Sequence, residues 1–378
     1  MFKHGKTEGE EFIMLKWITG AVAAVAMSVV AVSASEAAFK LEGEPKVAML
    51  QLATVNDGGW SEALEYARVK TEEALGIEIA YTENVPEDNS EILRTIDLYV
   101  NRGHNIIIGT SWGYGDAFLE AAAKYPNVAF VNCAGETNNS INLESFYARS
   151  YQGWYLAGIV AGHLTQSKKV GSIGGYPLGV VNWDLNAFLR GAQSVDPEIE
   201  MVGVFVNTWY DPVKETQAAE ALLEQGVDVL GSNMSTPGPH LAFQEQGKWS
   251  VGFQIDVSDQ APDAVATSMI YKWEAYFIPT ISAIIEGTWE PGEWGWWEGI
   301  DTGLFDVDPI ADWVPAAAVA DVDAARVAMA AGTLDPFQGP LHRQDGSLAV
   351  PEGEALSDDN LWGMNYFIQG AIGTMPAE

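Results

Sequence analysis

Short apolar runs of strand length alternate with helix-like amphipathic stretches, and this alternation restricts the chain to few folds. Lys46–Leu52 reads as a strand, Trp60–Leu75 as a helix ending near Gly76, and Ile77–Tyr81 as a second strand. Ser90–Arg102 carries apolar residues at helical spacing up to Gly103, followed by a strand at Asn105–Gly109, a helix at Asp116–Lys124 and a strand at Val128–Asn132. Apolar strands joined by helices predict a parallel sheet covered on both faces. The pattern then restarts: helix Gln152–Leu164, strand Lys169–Ile173, helix Trp183–Ser194, strand Glu200–Asn207, helix Pro212–Gln225, and strands Val227–Gly231 and Ser250–Phe253. Two such arrays predict an α/β protein of two Rossmann-like lobes.

Ligands of such sheets sit beyond the carboxyl ends of the strands. Those ends run into Ala53–Trp60, Thr110–Tyr114, Thr208–Pro212 and Asn233–Thr236, all polar, aromatic or glycine-rich. Aromatic loops held on a rigid scaffold are candidate binding elements. Beyond Trp289 the pattern weakens. Trp294, Trp296 and Trp297 fall in a glycine-rich hairpin or strand, and Ala317–Glu378 reads as irregular apart from a helix near Asp321–Ala331.

The chain carries 52 acidic residues against 19 basic ones, a net charge of -33. That excludes nucleic acid as a partner, since phosphate recognition needs a basic face, and it reads as a solvated acidic shell. The one cysteine, Cys133, lies in an apolar run and permits no disulfide framework or zinc-binding cysteine cluster. The five histidines show no metal-ligand spacing, and there is no G-x-S-x-G, H-E-x-x-H or phosphate-loop motif. Gly171–Gly175 follows a strand but lacks dinucleotide-binding spacing. These patterns predict a binding protein without cofactor or metal, rather than an enzyme.

At the N-terminus Lys16 precedes the uncharged span Ile18–Val32, and small residues follow through Ala38. A basic start, a short apolar span and a small-residue exit predict a secretory signal over residues 1–38. With no cysteine near the cleavage region, the mature protein is expected free in the periplasm, unlipidated and monomeric.

Four segments resemble the basic membrane protein family of ABC solute-binding proteins, whose best-understood members are purine nucleoside receptors. They are Asp57-Gly58-Gly59-Trp60, Gly109-Thr110-Ser111-Trp112-Gly113-Tyr114-Gly115-Asp116, Ala123-Lys124-Tyr125-Pro126-Asn127-Val128-Ala129-Phe130, and Val206-Asn207-Thr208-Trp209-Tyr210-Asp211-Pro212. The resemblance implies the type I periplasmic-binding-protein fold, with lobes joined by three crossovers, and delivery of ligand to the permease subunits of an ABC importer. It assigns 44–148 plus about 257–269 to the N-terminal lobe and 149–256 plus about 270–316 to the C-terminal lobe. Residues 317–378 are an extension packing on both.

In that family a purine lies between two aromatic rings, one per lobe, and the matching positions are Trp60 and Trp209. Trp112 and Tyr114 are expected at the same cleft. Asp57, Asp211, Asn182, Asn233, Ser235 and Gln254 are expected to hydrogen-bond the ring edge, although Asp57 and Asp211 equally suit helix N-caps. Nucleoside-binding members hold ribose with an Asp of a G-V-D-x-D segment and a Lys following a T-S motif. Here Gln254 stands at that Asp, Asp256 keeps the second, and Tyr271 stands at the Lys, with Trp273 just beyond. These departures imply a free purine base as ligand. An intact nucleoside, another compact solute, or a role as a periplasmic sensor subunit remain the alternatives.

Overall fold

The computed structural model describes residues 39–375, and the expected signal segment lies outside them. Two sheets dominate. The first contains β1 (Val47–Leu50), β2 (Ile79–Thr82), β3 (Ile106–Gly109), β4 (Ala129–Cys133) and β5 (Leu143–Ala148), and the second β6 (Lys169–Gly174), β7 (Glu200–Phe205), β8 (Val229–Ser232), β9 (Trp249–Gln254) and β10 (Val265–Tyr271). Later strands complete the edges: β11 (Trp296–Glu298) joins the first sheet, and β12 (Phe305–Val307) and β15 (Ala371–Ile372) the second, while β13 (Leu341–His342) and β14 (Leu348–Val350) form a small hairpin. The strand orders are β11-β5-β4-β3-β1-β2 and β12-β10-β9-β8-β6-β7-β15. Strip the added edge strands and the two orders coincide, with all pairings parallel in both. The lobes are topological copies of one another.

The helices are α1 (Trp60–Leu75), α2 (Asn89–Asn101), α3 (Gly115–Lys124), α4 (Tyr151–Leu164), α5 (Gly179–Val195), α6 (Pro212–Glu224), α7 (Gly238–Glu245), α8 (Glu274–Glu286), α9 (Ala316–Ala330) and α10 (Asp358–Trp362). Nearly every residue of α4 is buried, as expected for a helix apolar on all sides. It lies against α5 and under α9. A Cβ on Gly158 or Gly191 would strike the facing backbone, so glycine lets α4 and α5 touch chain to chain.

The chain passes between lobes three times: between β5 and α4, between β10 and α8, and between β11 and β12. The assignment of 257–269 to the first lobe is corrected by β10, which pairs in parallel with β9 of the second sheet. The chain crosses only after Tyr271. Conversely, within 270–316, α8 packs on α1 and β11 pairs with β5, so both belong to the first lobe. In the C-terminal extension, α9 covers α4, β15 pairs with β7 and α10 lies on α5. Trp362 also reaches Trp112 and Tyr147 of the first lobe, at ring-centroid distances of 6.1 and 6.4 Å.

Candidate functional site

A cavity of about 410 Å³ opens where the carboxyl ends of the two sheets face one another. Residues following β1, β3, β4, β6, β7 and β8, and the last two residues of β9, all contribute to its wall, as expected where strand order reverses in an open α/β sheet.

Trp60 forms one wall as the first residue of α1. Its indole N–H donates to the Thr110 carbonyl oxygen at 2.7 Å. Behind it, Tyr271 and Trp273 stack on each other at 4.4 Å and meet Trp60 edge-on at 6.2 and 5.8 Å. Phe146 and Tyr276, themselves stacked, continue the column. Trp209 forms the opposing wall from the loop between β7 and α6. Its ring meets Tyr176 edge-on at 4.9 Å and lies over Gly175, where a Cβ would come within 2.8 Å. Asn207, two residues earlier, sits at φ 53°.

At one edge the lobes touch. Gly58, at φ 83°, comes against the Ser235 carbonyl, and a Cβ on Gly59 would collide with Gln254 Oε1 and Ser235 Oγ. Glycine is needed at both positions, first for the left-handed backbone and then for the close approach. Ser235 Oγ donates to Gln254 Oε1 at 2.9 Å. Gln254 holds φ 75°, an uncommon conformation for a residue with a side chain.

The other polar feature is Asp184 on α5, which is 2% exposed. One carboxyl oxygen accepts from Ser150 Oγ at 2.6 Å, the other from Asn233 Nδ2 at 2.9 Å. Trp183 Nε1 donates to Ser150 Oγ, leaving that hydroxyl proton for Asp184. Burial pushes the Asp184 carboxyl up to about 8, against the pull of the bonds from Ser150 and Asn233. Polar residues on a buried helix need partners, and α5 divides them by face. Asn182 and Asn186 donate to the Met364 and Tyr366 carbonyls of the C-terminal segment, while Asp184 takes the cavity side.

Of the residues expected from sequence, the cavity wall brings together Asp57, Trp60, Trp112, Trp209, Asn233, Ser235 and Gln254. Asp57 is also a cap, accepting from the backbone N–H groups of Gly59, Ser61 and Glu62 at 2.9 to 3.1 Å. Asp211 caps α6 through Val213 and Lys214 and lies outside the wall. Those bonds, led by Lys214, hold its carboxyl below the usual range.

Tyr114 is displaced into the first lobe's core, where its hydroxyl bonds the Val85 carbonyl and its ring stacks on Phe118. Asn182 ties down the C-terminal segment instead of facing the cavity. Asp256 is exposed and accepts from the Ser258 N–H in its own turn. Tyr271 and Trp273 lie behind Trp60, so Tyr271 fills no space in the cavity.

The wall also holds residues that sequence reasoning passed over: Asp184, Tyr147, Tyr176 and Phe253. Tyr176 had a usable signal, as the first aromatic residue beyond a strand ending in Gly174-Gly175. Asp184 had a fainter one, a lone carboxyl in an apolar helix.

The sequence model of one protein family, described as ABC transporter substrate-binding protein PnrA-like, matches residues 44–321. The chain is 32% identical over 337 residues to a purine-binding protein of Brucella abortus, spanning 89% of this chain and 95% of that protein. It is 30% identical over 339 residues to a putative ABC transporter glucose-binding protein of Haloferax volcanii, spanning 89% and 83%. Among solved structures, an ABC transporter solute-binding protein from Conexibacter woesei superposes with a TM-score of 0.63 at 22% identity, covering 77% of this chain and 98% of that one. One from Aeropyrum pernix gives 0.68 at 16% identity, covering 79% and 94%. The shared architecture is the type I periplasmic-binding-protein fold.

Proposed function

The chain belongs to the Bmp family of ABC transporter substrate-binding proteins, and from that premise we propose that it captures a free purine base between its lobes and delivers it to a membrane permease. The observation that carries this reading is the pair of indoles on opposite cavity walls, Trp60 and Trp209. A flat heteroaromatic ring stacks on indole with a gain of about 1–3 kcal/mol per face. Because each lobe supplies one face, ligand binding favours the closed arrangement.

The preference for base over nucleoside is supported by what the wall omits. The positions corresponding to the family's sugar-holding charges are a neutral Gln254 and a Tyr271 lying behind Trp60, and among the described residues no Lys, Arg or His lines the cavity. Charge-assisted bonds to ribose hydroxyls are roughly twice as strong as neutral ones, so their absence weakens a nucleoside more than a base. Export to the periplasm, cleavage near Ala38 and a monomeric state complete the proposal; intact mass and light scattering on periplasmic protein test them.

The relationship to the Haloferax protein favours glucose as a second reading, so the decisive titration has three arms. Calorimetry with adenine, guanine and hypoxanthine, then with their nucleosides, then with glucose, is expected to give the tightest binding for a base. A nucleoside tighter than its own base would overturn the preference, and glucose binding without base binding would overturn the purine assignment.

A further inference from the structure

The cavity is electrostatically one-sided. Among the described residues its wall carries two carboxyl groups, Asp57 and Asp184, and no cationic side chain. Their situations differ. Asp57 accepts three backbone N–H bonds from the first turn of α1. Asp184 receives one bond at each oxygen, both from neutral side chains, Ser150 and Asn233. The Trp183 and Trp154 indoles also stand near enough to pull on the carboxyl, but a carboxyl oxygen has two lone pairs, so Asp184 keeps capacity for a further donor beyond Ser150 and Asn233. A buried carboxyl without a cation or a full set of donors is costly, and a ligand that brings its own N–H removes part of that cost. The neighbouring side chains Ser150, Trp183 and Asn233 all donate toward this corner, so it is an acceptor site built from donor supports.

We propose that Asp184 sets ligand choice by accepting a hydrogen bond from an exocyclic amino group, so that the site takes amino-bearing purine bases in preference to their oxo counterparts. This rests on the purine reading above. An ionised carboxylate only accepts, so an oxo group turned toward it sets acceptor against acceptor. A protonated carboxyl still keeps one accepting oxygen beside its donating O–H. An amino group therefore finds an acceptor in both states, whereas an oxo group finds a donor in one. Unpaired groups facing each other in a closed cavity are the strongest source of discrimination between near-isosteric ligands.

The test compares paired bases on the full chain: adenine with hypoxanthine, which exchange amino for oxo at position 6 and an N1 acceptor for N1–H, and guanine with xanthine, which exchange amino for oxo at position 2 and an N3 acceptor for N3–H. Dissociation constants by calorimetry above pH 8, where Asp184 is ionised, are expected to favour the amino member about tenfold or more in at least one pair. Asp184→Asn should bring that ratio to about threefold or less. A thermal melt of the variant reports whether it folds, and the wild-type ratio does not depend on it. Oxo members binding as tightly as amino members in both wild-type pairs would overturn the proposal, as would a folded Asp184→Asn that keeps the preference. Bases that bind without amino preference leave the purine reading standing and remove this one; failure of all four bases to bind removes both.

Discussion

The two walls of the cleft do the same job with different engineering. Trp60 opens a sixteen-residue helix, is pinned through its N–H to Thr110, and rests on the buried column Tyr271, Trp273 and Phe146. Trp209 sits in a loop, touches Tyr176 edge-on, and has a neighbour, Tyr210, that is 49% exposed. A ring held by packing binds with little further ordering, while a ring on a loop gives up freedom when the ligand arrives. The Trp60 wall thus offers a prepared platform, braced from the second sheet by Tyr271 of β10, and the Trp209 wall a surface that settles onto it.

The column behind Trp60 offers the most severe way to break this contrast. Trp273 is fully buried, and Trp273→Ala should cost about 3–5 kcal/mol of stability, seen as a large drop in the urea midpoint. No residue behind Trp209 should approach that. The walls themselves come next. Trp60→Ala and Trp209→Ala should each cost about 1–3 kcal/mol of binding by calorimetry, but only Trp60→Ala should also lower the melting temperature. Equal stability losses in the two variants would remove the distinction.

The two capping aspartates sharpen the comparison at smaller scale. Asp57→Ala and Asp211→Ala should each cost about 1 kcal/mol of stability as lost caps. Affinity should fall only for Asp57→Ala, because Asp211 lies outside the wall.

The last contrast is one of pH. Unfolded, Asp184 ionises in the ordinary carboxylate range; folded, it ionises near pH 8. The native state therefore holds an extra proton between those values, and its contribution to stability, full at low pH, is lost as pH rises through about 8. The phenols that feel its charge, Tyr147 and Tyr271, are themselves pushed up by burial and stay neutral across this window. Denaturation midpoints between pH 5 and pH 9 should decline less in Asp184→Asn than in wild type.

What was legible in the sequence followed local pattern. The strand-helix alternation through Phe253 placed β1 to β4 and β6 to β9 but passed over β5 and α7, and the strand-end rule found Trp60, Trp112, Trp209, Asn233 and Ser235. The misses were non-local. α8 contains Pro279, which interrupts the expected helical run, and it passed unseen. β10 was noticed only for its Thr267-Ser268 pair; which sheet a strand joins depends on pairing partners far along the chain, and no local feature reports it. Tyr114 and Tyr271 have the composition of site residues but point into cores, because side-chain direction at a strand or helix end varies residue by residue. Asp184 was hidden because its partners, Ser150 and Asn233, come from α4's approach and the end of β8.

The interlaced crossings also bear on how the molecule can be made. Neither lobe corresponds to a continuous stretch of gene. The ribosome releases β1 to β5 early, yet their sheet lacks its β11 edge and the α8 cover over α1 until almost all of the second lobe has been synthesised. Cotranslational folding of the first lobe therefore waits on material encoded far downstream, and the closing pairs, Phe146 with Trp296 and Tyr147 with Trp297, are contacts of high loop-closure cost. Domain shuffling at the Ala148–Tyr151 junction would leave the first fragment without its β11 rim and the second carrying α8 and β11 with no first lobe to pack on, so evolution can exchange this module only whole.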